Sequence, residues 1–522
     1  MLNTLYSRRG MVTSPHHLAS QAGLSILKEG GTSIDAAIAV ASVLSVVYPH
    51  MLSIGGDAFW LIGCHDKEPM AIEACGRSGS NVNMDLYKGY ESIPVHGPLA
   101  VNSVAGAVSG WAAAFTVSKS WGTTMTLSRI LQDAIYYARE GVPISVNTSV
   151  ISDETKAALL KQPTFCNVFA PDGTWPATGS LMKQPALAAT LIRLAEEGLD
   201  SFYRGNLAKD IAADLKSIGS PLTLGDLQAH QASERTPIHI DTSKGRFYNF
   251  PPPTQGATGL HILGQFDRLG IQPSDAETFP HIHGFIEASK QAYQIRRIIA
   301  DPDAMTESID TYLTPEALNR LASQIDMKKA KEISSPSGPG DTAWLGVMDC
   351  EGRAVSCIQS VFHPFGSGTV LPTTGILWQN RGTSFSLDKT SVNALVPGKR
   401  PFHTLNPAMA KLKDGRFITY GTMGAHGQPQ ISSNVIIRYA WLNEPLQSAV
   451  TAPRWMVDGD RILVENRLSP TVVEELRKAG HRMEWTGPYE TYLGHAHGIV
   501  RRPDGTLEGA TDPRADGIVA AY

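Results

Sequence analysis

The longest apolar run in the chain, Ala36 to Tyr48, is bounded by Asp35 on one side and Pro49-His50 on the other. It is too short to cross a bilayer and reads as a helix buried against a sheet. Before it, Ser14-Pro15 and Gly30-Gly31 bracket a second predicted helix, with a capping side chain and Pro at its start and Gly past its end. After it, Ser53-Ile54-Gly55-Gly56-Asp57 leads into a predicted strand from Ala58 to Ile62. The paired glycines there allow close backbone approach or positive φ.

The middle third reads as mostly helical. Ile282, Phe285, Ile286 and Tyr293 recur at helical spacing, in a segment ending near Asp301-Pro302, and form a core stripe. Pro251-Pro252-Pro253 cannot lie inside a central strand or helix, so it positions a loop ahead of Gln255-Gly256.

The pattern then changes. Ser334 to Gly340 is rich in Ser, Pro and Gly and reads as a mobile surface segment. Directly after it, Ala343, Leu345 and Val347 alternate with Trp344, Gly346 and Met348. The turn Asp349-Cys350-Glu351-Gly352 and a second strand, Ala354 to Ser360, complete a hairpin signal. A linker ending at Asp341 thus places Thr342 at the start of a buried hairpin.

Composition narrows the function classes. The 522 residues are 18% charged and 42% hydrophobic, as in a compact enzyme. The length suits two or more domains or one large α/β body. A formal net charge of −4 gives no sign of a nucleic-acid or anionic-membrane partner. The five cysteines, Cys64, Cys75, Cys166, Cys350 and Cys357, form no CxxC pair, which argues against a disulfide framework or a Cys-rich zinc site. Met1 to Gly10 carries arginines but no apolar core of a signal peptide, so a cytoplasmic enzyme is expected. The pairs His16-His17 and His281/His283 lack an acidic partner at metal-ligand spacing, and no metal or cofactor is expected. There is no G-x-S-x-G elbow, phosphate-binding loop or H-E-x-x-H.

Thr342 carries the chemical argument. A threonine hydroxyl is a poor nucleophile until a base takes its proton. Cleavage of the Asp341–Thr342 bond would give Thr342 a free α-amine, with a reference pKa of about 7.7–8.0. One residue would then supply both nucleophile and base. Composition alone reads a threonine after such a linker as a turn residue.

Asp341-Thr342-Ala343-Trp344, the Asp349 to Gly352 turn and Phe365-Gly366-Ser367-Gly368 resemble the γ-glutamyltransferase family. So do Gly10-Met11 through Gly55-Gly56-Asp57, the Pro251 to Gly256 turn, Lys399-Arg400-Pro401 and Asp512-Pro513-Arg514 through Tyr522. The resemblance covers nearly the whole chain in order. It implies a four-layer αββα sandwich of the N-terminal-nucleophile hydrolase type. It also implies a precursor that cleaves itself into residues 1–341 and 342–522, a heterodimer forming one body. By position, Thr342 is the nucleophile, Ser360 is a second hydroxyl that orients it, and Gly424 and Ala425 supply backbone N–H groups for an oxyanion hole. Alanine still offers an N–H where the family has Gly, provided its backbone angles suit a Cβ.

The departures from the family pattern concern the substrate. Arg381 follows Gly375 to Asn380, where glutamyl-recognising members hold an ammonium with acidic or amide groups. An arginine repels an ammonium and attracts a carboxylate. His403-Thr404 replace a pair of serines, and Phe362 replaces an Asn. The pocket therefore resembles the non-glutamyl branch, which includes oxamate amidohydrolases and cephalosporin-acylase-like enzymes. Arg77 falls near the family's carboxylate-binding arginine; its other reading is a surface or structural arginine. For Arg381 the other reading is a pair with a carboxylate such as Asp388. The expected activity is hydrolysis of a small carboxylate-bearing amide, oxamate first. Alternatives are a γ-glutamyl hydrolase or transferase, a cephalosporin-type acylase, or a homologue that no longer processes itself and only binds a ligand.

Overall fold

In the computed structural model, residues 3–332 and 341–522 are described; the Asp341 side chain and the expected surface segment Ser334 to Gly340 lie outside the described residues. Two seven-stranded antiparallel sheets form the centre. The first runs, edge to edge, Ile518–Ala521, Met11–Ser14, Asp341–Met348, Arg353–Phe362, Asp57–Cys64, Lys67–Ala74, Ser233–Arg235. The second runs Leu5–Ser7, Leu507–Ala510, Ala496–Arg501, Phe417–Thr422, Ala408–Leu412, Gly245–Asn249, Ile238–Asp241.

Side-chain alternation along these strands builds three apolar layers. Between the sheets pack Phe59, Leu61, Trp344, Ile358, Met409 and Ile499. The opposite face of the first sheet, with Trp60, Leu345 and Cys357, packs on helices His17–Lys28, Ser33–Val47 and Ala107–Ser120. The opposite face of the second sheet, with Phe247, Ala410 and Ile418, packs on helices Gly256–Phe266, Phe279–Ala292 and Gln428–Ala440. The result is the expected αββα sandwich. Gly421 is required where the sheets meet, because a Cβ there would lie 2.2 Å from Trp344 Cδ1. The sheets are also tied by polar bonds: Ala408 N–H donates to Ser356 Oγ at 3.2 Å, and Thr419 Oγ1 to Val355 O at 3.2 Å.

The predicted hairpin is present. Asp349 Oδ1 accepts from Glu351 N–H and Arg353 N–H, and Gly352 takes φ +75. Asp349 Oδ2 also accepts from Ser33 N–H, fixing the hairpin against the start of the buried helix. That helix spans Ser33–Val47, every residue of it is buried, and Thr32 and Asp35 form a reciprocal capping box. The preceding helix starts later than its signal suggests. Ser14 pairs with Ile518 in the first sheet, so His16 caps the helix, accepting from Leu18 N–H at 3.3 Å.

Residues on both sides of position 341 contribute strands to both sheets. Among the described residues no helix is long and apolar enough to cross a membrane, and no group of three or more His, Cys, Asp or Glu side chains is placed to hold a metal ion.

Candidate active site

Thr342 lies at an irregularity in strand pairing. Asp341 is opposite Phe362, but Ala343 is opposite Gln359, so the ladder shifts across Thr342. Such a shift re-aims a side chain. The buried Thr342 Oγ1 points to Ser360 Oγ, 3.5 Å away, and accepts from Gln428 Nε2 at 3.3 Å. Ser360 Oγ in turn accepts from Phe362 N–H at 2.7 Å. Phe362 takes φ +85, a conformation uncommon for a bulky residue, and such strain concentrates at functional positions.

Gly424 and Ala425 follow the strand Phe417–Thr422 and open the turn before helix Gln428–Ala440. Gly424 has φ +128 and ψ 27, and Ala425 φ +43, so the alanine accepts a left-handed conformation that glycine adopts at no steric cost. Gly427 N–H donates to Gly424 O at 2.7 Å, closing the turn. Neither the Gly424 nor the Ala425 N–H has an acceptor among the described residues. The carbonyls are anchored behind: Gln255 Nε2 donates to Ala425 O at 2.7 Å and to Thr404 O at 2.8 Å. Tyr293 Oη donates to His426 O at 2.5 Å.

Arg381 is fully buried. Its Cζ stands 3.8 Å from the centre of the Phe362 ring, and one terminal nitrogen donates to Thr404 Oγ1 at 3.4 Å. Nε and the other terminal nitrogen are buried without a partner among the described residues. Burial pulls its pKa down to about 9, against the opposing pull of Asp57, so it stays charged at neutral pH. Asp388 does not pair with it; that carboxylate accepts from Thr390 N–H and Oγ1 in an exposed turn.

His403 Nε2 lies 3.1 Å from Asp57 Oδ2, both groups fully buried. Burial first, then Arg381, lowers the His403 pKa to about 4, so the ring is neutral. Asp57 Oδ1 accepts from Gly76 N–H, Gly106 N–H and Gln379 Nε2, which accounts for a carboxylate in this interior.

The structure thus gathers Thr342, Ser360, Gly424, Ala425, Arg381, His403 and Thr404 through short chains of contacts. Arg77 contacts none of these side chains among the described residues. Its guanidinium donates to Gly398 O and pairs with Asp303 at 3.3 Å and Asp301 at 3.7 Å, with 43% of its side chain exposed. It lines a cavity of about 470 Å³ with Glu73, Cys75, His230 and Arg400.

Gln428, Gln255, Asp57, Arg296 and His426 join the site without having been singled out as functional side chains from sequence. Arg296 donates to His426 Nδ1 at 2.9 Å and stacks 4.7 Å from the centre of the Phe402 ring. Burial, then Arg296, Arg381 and His363, lowers the His426 pKa to about 3, so this ring is neutral with its proton on Nε2. Asp57 and Gln255 lie in segments that resemble the family, and His426 and Gln428 closely follow Gly424-Ala425; nothing local marked Arg296.

The gamma-glutamyltranspeptidase family pattern matches residues 19–522. The chain is 46% identical to an oxamate amidohydrolase proenzyme of Klebsiella pneumoniae, over 99% of each sequence. It is 36% identical to a glutathione hydrolase-like proenzyme of Bacillus subtilis, again over 99% of each. Among solved structures, a cephalosporin acylase from Bacillus halodurans superposes with a TM-score of 0.91 at 34% identity, covering 100% of this chain and 97% of that one. This fold, with these relatives, identifies the chain as a member of the γ-glutamyltranspeptidase family of amide-hydrolysing enzymes.

Proposed function

We propose that the protein hydrolyses oxamate to oxalate and ammonia after cutting its own chain between Asp341 and Thr342. The observation that carries the substrate class is Arg381: a buried guanidinium with free donors and no carboxylate partner among the described residues. A charged group in that position lacks the compensation that burial demands, and a small substrate carboxylate supplies it. A glutamyl ammonium placed there meets repulsion instead. The 46% identical relative named for oxamate supports the same reading.

In the processing step, Thr342 Oγ attacks the Asp341 carbonyl carbon. The C–N bond breaks, the nitrogen takes the hydroxyl proton, and water hydrolyses the resulting ester. The products are residues 1–341, ending in a new carboxylate, and residues 342–522, beginning with a free amine. Both contribute to both sheets, which keeps them together as one body. The names of two relatives as proenzymes support this step.

In turnover, the α-amine of Thr342 takes the hydroxyl proton as Oγ bonds to the amide carbon. The carbonyl electron pair moves to an oxyanion held by the Gly424 and Ala425 N–H groups. Collapse breaks the C–N bond, and the leaving nitrogen takes the proton back. Water, deprotonated by the same amine, then releases the acid. Ser360 orients the hydroxyl, Thr404 and the Phe362 ring fix Arg381, and His403, set against Asp57, completes the carboxylate pocket. No metal or cofactor has a part in these steps.

The test is ammonia or amine release from oxamate, glutathione, γ-glutamyl anilide and a glutaryl-cephalosporin side by side. Oxamate is expected to give the highest kcat/KM. A preference for either γ-glutamyl compound overturns the assignment of Arg381 to a carboxylate.

A further inference from the structure

We infer that Gln428 is a catalytic residue: its side-chain amide donates to the attacking oxygen of Thr342 and stays on that oxygen while it becomes an ester oxygen. The inference rests on Thr342 being the nucleophile. Gln428 opens helix Gln428–Ala440, immediately after the turn that presents the Gly424 and Ala425 N–H groups. One backbone segment therefore sets both the oxyanion donors and the donor to the nucleophile. The side chain is 1% exposed, and Nε2 lies 3.3 Å from Thr342 Oγ1.

The geometry around that oxygen is directional. Thr342 Oγ1 donates toward Ser360 Oγ and accepts from Gln428. One lone pair is thus occupied, the proton is turned to Ser360, and the second lone pair is left for attack. As the O–H bond breaks and the O–C bond forms, negative charge grows on Oγ before it is shared with the new carbon. A preorganised donor in a dry site stabilises that charge. When the ester is hydrolysed, Oγ becomes the leaving oxygen, and the same donor assists its departure. Gln428 gains and loses no atom.

Packing does not account for an amide here. Gln428 Oε1 is buried without a donor among the described residues. A methionine would fill the same space and leave no polar atom unmatched. Because an amide does not titrate near neutral pH, its contribution falls on rate and leaves the pH profile alone.

Two near-isosteric variants test this. Gln428→Met removes donor and acceptor; Gln428→Glu removes the donor and keeps an acceptor. Self-cleavage is followed as first-order conversion of the precursor on gels, a readout independent of the substrate's identity. Turnover of oxamate is referred to the amount of self-cleaved chain, so misfolded material does not count. Both variants are expected to slow self-cleavage at least tenfold and to lower kcat by about 10²–10³, the range for losing one such donor. KM should stay within about threefold in both, and the pH profile should not move in Gln428→Met.

Wild-type self-cleavage in Gln428→Met, which has no donor in any protonation state, overturns the inference. So does a raised KM with unchanged kcat. Thr342→Ala separates this failure from that of the nucleophile assignment. An inactive Thr342→Ala beside a fully active Gln428→Met removes Gln428 alone. An active Thr342→Ala removes the nucleophile reading itself.

Discussion

The guanidinium of Arg381 stands 3.8 Å from the centre of the Phe362 ring, with Thr404 Oγ1 as its one side-chain hydrogen-bond partner among the described residues. The ring holds the cation in place without neutralising it. Arg381→Ala is therefore expected to raise KM for oxamate about 10- to 150-fold. That corresponds to about 1.5–3 kcal/mol for hydrogen bonds to a charged group. Arg381→Lys should not restore it, because a point charge does not reproduce the planar fork. The neutral analogue oxamide is the control. Equal losses on both compounds would exclude carboxylate recognition by this residue.

Phe362→Leu tests the other half of the pair. It keeps an apolar side chain and removes the π face. KM for oxamate should rise less than in Arg381→Ala, while self-cleavage proceeds, since the substitution keeps the Phe362 N–H that donates to Ser360 Oγ. Full retention of wild-type KM would show that the stacking does not position Arg381.

Thr342→Ala should leave a single band on denaturing gels and abolish turnover, whereas the wild-type chain should run as fragments 1–341 and 342–522. A wild-type enzyme that is fully active with an intact Asp341–Thr342 bond would exclude the N-terminal-nucleophile mechanism.

How much of this was legible in sequence follows from the range of each interaction. The hairpin from Ala343 to Ser360 and the buried helix Ser33–Val47 were legible, because alternation, turn chemistry and capping act within a few residues. The helix start at Ser14 was misread because Ser14 is taken by a strand near the far end of the chain, which no local signal reports. The same limit hid the partners in the site. Asp57 reaches His403, and Gln428 reaches Thr342, only after the two sheets stack. Motif position placed Gly424 and Ala425, but not the left-handed φ that Ala425 adopts.

The buried histidines set the acid stability. His261, His403 and His497 are pulled from 6.5 to about 4, and His495 to about 3, each by burial first. In the unfolded chain these rings protonate near pH 6.5; in the fold they stay neutral down to about pH 4 or below. Across that window the unfolded state binds more protons. Stability is therefore complete above about pH 6.5 and falls as pH drops toward 4. Each ring contributes up to about 1.4 kcal/mol per pH unit. Tm should fall monotonically from pH 7 to 4.5, and His261→Gln should flatten the slope. A Tm that is constant or rises on acidification would contradict this.

Gly424 and Ala425, the proposed oxyanion donors, differ in what their backbone tolerates. Gly424 has φ +128, and a Cβ there would lie 2.7 Å from Ile431 Cδ1. In Gly424→Ala the Ile431 side chain can move aside, but an alanine at this φ is strained, and relieving the strain displaces the N–H groups of the turn. Gly424→Pro removes one donor outright. Both are expected to lower kcat by about 10²–10³. Ala425 is the opposite case: its Cβ already occupies a left-handed conformation, at a cost of roughly 1 kcal/mol relative to glycine. Ala425→Gly keeps the N–H and relieves that strain, while it widens the unfolded ensemble. Stability should change little, and kcat and self-cleavage should match wild type within about threefold. Rates measured on the purified, self-cleaved variants decide the matter. If Gly424→Pro folds and turns over at the wild-type rate, or Ala425→Gly loses activity as severely as Gly424→Pro, the oxyanion donors are not these two backbone groups.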